Sequence, residues 1–91
     1  MVEVRVPSTM LKLTKGAKVV QGEGQTVGDV LVGLDQQYPG LRAQVSAPDG
    51  RLHRFVNVYL NDEDVRYMQA LATPVQAGDV VSILPALAGG S

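Results

Sequence analysis

The chain contains no cysteine among its 91 residues. That excludes disulfides, thiolate catalysis and cysteine-ligated zinc, so packing alone must hold the fold. It has a single histidine, His53. Without a second histidine or a cysteine there is no metal cluster of the usual spacing, and His53 reads as a structural or solvated side chain. No apolar run reaches the roughly 18 residues needed to cross a bilayer. The alternating start, Met1-Val2-Glu3-Val4-Arg5-Val6, lacks the apolar centre of a signal peptide. The expectation is a cytoplasmic protein with no membrane contact. Excess charge is absent too: 8 basic against 9 acidic side chains leave a net charge of −1, too little positive potential for nucleic acid. Lys12, Lys15 and Lys18 form the one basic cluster and read as a solvated loop.

Enough apolar side chains are present for a core, 45% of the total, but the length allows one economical domain with little room for a deep substrate pocket. Val2, Val4 and Val6 alternate with Glu3 and Arg5, a strand with one buried face that Pro7 ends. Residues 8–16 read as a loop. Residues 17–21 read as a second strand, ended by Gly22 and Gly24 and paired antiparallel to the first. Val27, Val30, Leu31, Leu34 and Tyr38 make one stripe at helical spacing. Thr26 is placed to cap that helix with Asp29 three residues on, and Pro39-Gly40 stops it.

Residues 41–52 read as a loop around the turn Pro48-Asp49-Gly50. Phe55 to Leu60 is a dense strand, broken by Asn61-Asp62, with Val65-Arg66-Tyr67 as a short return strand. Residues 80–84 are a final strand that Pro85 terminates. The order predicts an α+β fold of the β-grasp, ubiquitin-like kind: a mixed sheet of four to five strands with one main helix packed on one face. The expected division is a β-grasp domain over 1–85 and a flexible C-terminal tail over 86–91.

Searches for catalytic groups find little. Asp62, Glu63 and Asp64 are adjacent acids, which are usually just solvated. The serines have no histidine arrangement to activate them, and Gly22-Glu23-Gly24 lacks the spacing and lysine of a phosphate loop. The end of the chain is different. Leu84-Pro85-Ala86-Leu87-Ala88-Gly89-Gly90-Ser91 places apolar anchors and a proline-stiffened stem before a diglycine. Glycine has no Cβ, so such an end can thread a narrow channel and present an unhindered carboxyl group. On the strand 55–60, Val56, Val58 and Leu60 share the face assigned to the core; Phe55, Asn57 and Tyr59 share the other. Phe55 and Tyr59 are therefore candidates for partner binding, aromatics being enriched at interfaces; packing under the 41–52 loop is the alternative.

The stretch from Leu52 to Arg66, with Leu71-Ala72-Thr73 and Gly78-Asp79-Val80-Val81-Ser82-Ile83-Leu84-Pro85 up to Gly89-Gly90, resembles the MoaD/ThiS family of ubiquitin-like sulfur carriers. Within that family it is most similar to the CysO-type carriers of actinobacterial cysteine biosynthesis. The resemblance implies a carrier that acts as a substrate of other enzymes and binds no cofactor itself. An E1-like adenylyltransferase would use ATP to adenylate Gly90, and sulfur would replace AMP to leave a thiocarboxylate. The acceptor would be an activated serine on a PLP-dependent cysteine synthase, with a JAB/MPN-type zinc metalloprotease releasing the product. Gly90 would carry the reactive carbonyl, Gly89, Ala88 and Leu87 would form the threading tail, and Leu84 and Pro85 would contact partners. Ser91 departs from the pattern: it must be removed before Gly90 can react, unless it is a cloning addition or a deliberate block. The alternatives implied are a modifier conjugated to lysines and a MoaD-like small subunit of molybdopterin synthase.

Overall fold

A computed structural model of the chain describes residues 1–85. The expected order β, β, α, β, short β, β is present, with a second short helix added after the first. β1 (Val2–Arg5) and β2 (Val19–Gly22) pair antiparallel with Val4 opposite Val20. α1 (Val27–Gln37) follows, then α2 (Leu41–Val45), β3 (Val56–Leu60), β4 (Glu63–Asp64) and β5 (Val80–Pro85). The sheet order is β2-β1-β5-β3-β4. β5 lies at its centre, parallel to β1 and antiparallel to β3.

Alternation decides which face is covered. Val2, Val4, Val20, Val58, Val81 and Ile83 are buried on the side where α1 lies. The helix contributes Val27, Val30, Leu31 and Leu34, all essentially inaccessible. Its start is fixed as the sequence implied: the Thr26 hydroxyl accepts from the Asp29 N–H at 3.1 Å, and Asp29 reaches back to accept from the Gln25 N–H at 3.4 Å. Gly22 does not end β2 but closes it beneath the helix. A Cβ there would stand 2.7 Å from Val30 Cγ1, so the bare backbone sets how closely α1 rests on the sheet.

Several boundaries differ from expectation. Leu41–Val45 is a short helix rather than loop, with Leu41 and Val45 fully buried. Five residues cannot sustain a helix alone. This one starts on Gly40, at φ 97°, and the Asp35 carboxylate accepts from the N–H groups of Gly40 and Arg42 at 3.1 and 3.2 Å. The turn at 48–50 stands as read, with the Gly50 N–H donating to Ala47 at 2.9 Å. The return strand is Glu63–Asp64, not Val65–Tyr67. Asn61 and Asp62 both take positive φ, 50° and 75°, giving a two-residue hairpin of the kind that matches strand twist. The Asp64 side chain then accepts from the Arg66 N–H and starts a 3-10 turn that buries Val65. Pro85 is the last residue of β5, opposite Val56, rather than a residue beyond it.

Candidate functional site

The strand that leads to the diglycine is the best-supported strand of the sheet. β5 pairs with β1 over Val80–Ser82 and with β3 over Val81–Pro85, so Leu84 and Pro85 are held from the β3 side, by pairing of Leu84 with Asn57 and of Pro85 with Val56. Val81 and Ile83 point into the core; Leu84 is 46% exposed and Pro85 is exposed. Gly89, Gly90, Ala88, Leu87 and Ser91 lie outside the described residues.

Two hollows flank the end of β5. One, of about 440 Å³, lies between β5, the chain after β1 and α2; Pro7, Met10, His53, Phe55, Val56 and Leu84 are among its walls. The other, of about 470 Å³, is bounded by Arg5, Tyr59, Asp62, Ser82 and Leu84. Leu84 and its neighbours Pro7 and Ile83 border both. The sequence candidates are thus divided. Phe55, 63% exposed, meets Leu84 and Pro85 in the first hollow; Tyr59, only half-buried and facing away from the helix, meets Leu84 in the second. Phe55 also precedes β3 rather than forming part of it, and Val56, assigned to the core, is half-buried. Across the uncovered face the register sets Val19, Arg5, Ser82, Tyr59 and Asp64 in one row.

Two residues that organise this region are not readable from pattern. The His53 Nε2–H donates to the Ala43 carbonyl at 2.8 Å, tying the approach to β3 onto α2. Arg66 donates to Asn57 Oδ1 and to the Val56 carbonyl, both at 2.7 Å, and to the His53 carbonyl. Its guanidinium therefore fixes the backbone on both sides of Phe55. Only three-dimensional placement joins residues 53–57 to residue 66; no spacing rule predicts it.

The rest of the chemistry is quiet. Asn61 Nδ2 donates to Asp79 at 3.0 Å and the Gln76 N–H donates to its other oxygen at 2.8 Å, which together hold the Asp79 carboxyl below the usual carboxylate range. Asn61 Oδ1 also accepts from the Val80 N–H, so this cluster anchors the start of β5. Among the described residues no three acidic or histidine side chains are grouped to hold a metal ion. Among the same residues no helix is long and apolar enough to cross a membrane. What the site can do is present a rigid strand end, ringed by apolar and aromatic side chains, to something larger.

The family model described as "ThiS family" matches residues 4–90, ending on the second glycine. The sulfur carrier protein CysO of Mycobacterium tuberculosis is 46% identical over 91 residues, 98% of each chain. A crystal structure of M. tuberculosis CysO superposes with a TM-score of 0.92 at 44% identity, covering 96% of this chain and 100% of that one. CysO in the Amycolatopsis orientalis BexX/CysO complex also gives 0.92, at 40% identity over 99% and 100% of the two chains. Small archaeal modifier protein 3 of Haloferax volcanii is 42% identical over 65 residues, 71% of this chain and 70% of that one. The β-grasp architecture expected from the element order is the one these structures share.

Proposed function

The chain belongs to the ThiS family, and from that membership we propose that it is a sulfur carrier, a substrate of partner enzymes rather than an enzyme. The observation that carries the reading is the 46% identity to a sulfur carrier protein along nearly the whole of both chains. The position of β5 supports it: the central strand delivers Leu84 and Pro85 to a fixed point five residues before Gly90. A partner that grips the folded domain thereby knows where the acyl group is.

The chemistry follows from the acyl group at Gly90. A carboxylate is a poor electrophile, and adenylation by an E1-like enzyme at the expense of ATP gives it a leaving group. Sulfide or a persulfide donor then displaces AMP and leaves a thiocarboxylate, whose soft anionic sulfur is nucleophilic as a thiolate is. Tethering that sulfur to a docked protein raises its concentration in the acceptor's site. Cysteine is the product this reading favours, formed on a PLP-dependent synthase and released by a JAB/MPN-type zinc protease. PLP, zinc and ATP belong to those partners. The CysO chain of the BexX/CysO complex supports the idea that carriers of this shape are held by a second protein.

In this chain Ser91 blocks Gly90, so the untrimmed form does not react. The test compares residues 1–90 with residues 1–91, each incubated with the activating enzyme, ATP and sulfide. Intact mass should show one oxygen-to-sulfur exchange in the shorter form only. No exchange in the shorter form, or exchange in the longer one, overturns the proposal. A second reading, a modifier joined to target lysines, draws on the 42% identity to small archaeal modifier protein 3. A tagged form ending at Gly90 would then produce a ladder of conjugates in cells, and a pure carrier would not.

A further inference from the structure

The net charge of −1 conceals how the charges are placed. Two of the eight cations are paired with carboxylates, Arg5 with Glu3 at 2.8 Å and Arg51 with Asp49 at 3.7 Å. The other six, Lys12, Lys15, Lys18, Arg42, Arg54 and Arg66, are exposed and have no carboxylate within ion-pair distance among the described residues. All six gather at the end of the sheet where β5 stops. The Val6 N–H donates to the Lys18 carbonyl at 2.8 Å, one residue beyond the level at which Arg5 pairs with Ser82. Lys12 and Lys15 lie in the connection from β1 to β2, whose Pro7 and Met10 wall the hollow beside Leu84 and Pro85. α2, which carries Arg42, walls the same hollow through Ala43 and Gln44. Arg66 donates to the carbonyl of Val56, the partner of Pro85. Arg54 sits with Phe55 at the tip of a turn, closed by the Val56 N–H donating to the His53 carbonyl at 3.3 Å.

The acids are placed oppositely. Glu23 follows the end of β2, Asp29 stands in the first turn of α1, Asp62 and Glu63 are on the hairpin beyond Leu60, and Asp79 precedes β5. All five are at the end where β5 begins. Asp35 and Asp64 lie nearer the cations and offset two of the six, which leaves a positive excess there. The six residues of β5 run roughly 20 Å from one end to the other. The screening length at physiological ionic strength is about 8 Å. A molecule approaching the Pro85 end therefore meets the cations and scarcely feels the acids behind them.

These cations ring an apolar centre. Phe55 and Leu84, 63% and 46% exposed, wall the hollow of about 440 Å³ that they surround. An apolar centre with a charged, arginine-containing rim is the composition of a protein interface. We propose that this end of the domain is a docking surface for a protein partner that offers an apolar projection ringed by aspartate and glutamate side chains. The inference rests on the reading that partner enzymes grip the folded domain. The positive excess draws such a partner to the end where β5 stops, and the acids at the other end turn it away. Most encounters then begin in the orientation that docking needs. Rim charges of this kind act chiefly on the association rate and on its dependence on salt.

The test compares two double variants of equal net charge in stopped-flow association with the activating enzyme. Lys18→Gln with Arg54→Gln removes two positive charges from the docking end. Gln21→Glu with Gln25→Glu adds two negative charges at the other end, where both glutamines are exposed, Gln21 opposite Glu3 and Gln25 bonded to Val75. At low salt the first pair should slow association at least about fivefold and the second less than about twofold. The difference should vanish at about 0.5 M salt. Equal effects of the two pairs, or a rate that salt does not change, would overturn the proposal. A second measurement needs no enzyme: a poly-glutamate peptide titrated into isotope-labelled protein should shift the amides of Lys18, Arg54, Phe55 and Leu84. Shifts at Glu23 and Asp79 instead, no saturable shift, or tighter binding of a single-stranded oligonucleotide of the same charge would also overturn it. If both charge results hold but the enzyme with ATP and sulfide gives no thiocarboxylate, the carrier function fails and the docking surface stands. If thiocarboxylate forms and the two pairs behave alike, the reverse holds.

Discussion

Replacing Phe55 by alanine separates docking from folding, because the side chain is mostly outside the core. It is 63% exposed and lies next to Leu84 and Pro85, with its flanking backbone held by Arg66. A phenylalanine offers roughly 200 Å² of buriable surface, so a partner covering it completely removes about 125 Å² from water. At about 25 cal/mol per Å² that is a ceiling of about 3 kcal/mol, or roughly 200-fold in Kd. Ordering costs at the interface reduce it, so a loss of about 10- to 100-fold is expected. The remaining third of the ring, about 75 Å², limits the folding cost to about 2 kcal/mol. The paired assays are calorimetric titration of residues 1–90 against the activating enzyme and urea denaturation of the same variant. A Kd within threefold of the parent places Phe55 outside the interface. A stability loss above about 3 kcal/mol, comparable to truncation of a core aromatic, refutes the exposure argument itself.

Other perturbations test the fold beneath the site. Leu34→Ala, at a position with no exposure, should cost about 3 kcal/mol and lower the urea midpoint without changing the slope; a loss under about 1 kcal/mol would mean that α1 is not seated as described. Gly22→Ala should cost about 1–3 kcal/mol, since its Cβ meets Val30 Cγ1 at 2.7 Å and Leu34 Cγ at 3.4 Å. Neutral behaviour in the same denaturation assay would show that the helix can move away freely. Asp79 contributes stability that is present above the ordinary carboxylate pKa and lost as pH falls through its lower folded value. Asn61→Gly keeps the positive φ but removes the hydrogen bond, so the Asp79 titration followed by NMR should move up; an unchanged titration would assign the depression to the Gln76 N–H alone.

Much of this architecture was legible because local pattern and tertiary demand agree. The stripe from Val27 to Leu34, with Thr26 and Asp29 at its start, needs no outside help to be recognised, and the alternation of β1 already says which face α1 covers. What escaped is whatever depends on a distant residue. α2 is five residues long and is started by Asp35, a side chain of the preceding helix, so no window centred on 41–45 contains its cause. Asn61-Asp62 looked like a break because the residue pair most typical of tight hairpins ends in glycine; two non-glycine residues at positive φ make the turn instead, held on the far side by Val80 and Asp79. That shifts the return strand to Glu63–Asp64 and frees Val65–Tyr67 to coil. The site divides in the same way. Strand parity named Phe55 and Tyr59 as candidates but left open whether the 41–52 loop covers them; the structure leaves Phe55 exposed and Tyr59 half-buried. The separation of Phe55 from Tyr59 into different hollows, and the hold of Arg66 on the Phe55 backbone, arise from long-range packing that a single sequence does not encode visibly.

The parallel pairing of β1 with β5 has a mechanical consequence. Tension applied between the amino terminus and the carboxyl end loads these adjacent strands in opposite directions along their length. Their hydrogen bonds are then stressed in shear and must fail together rather than unzip one at a time. An enzyme that draws the chain end into its channel can pull hard on this domain without unravelling it, whereas the same force applied across the two-residue hairpin at Asn61-Asp62 would peel the short outer strand away first.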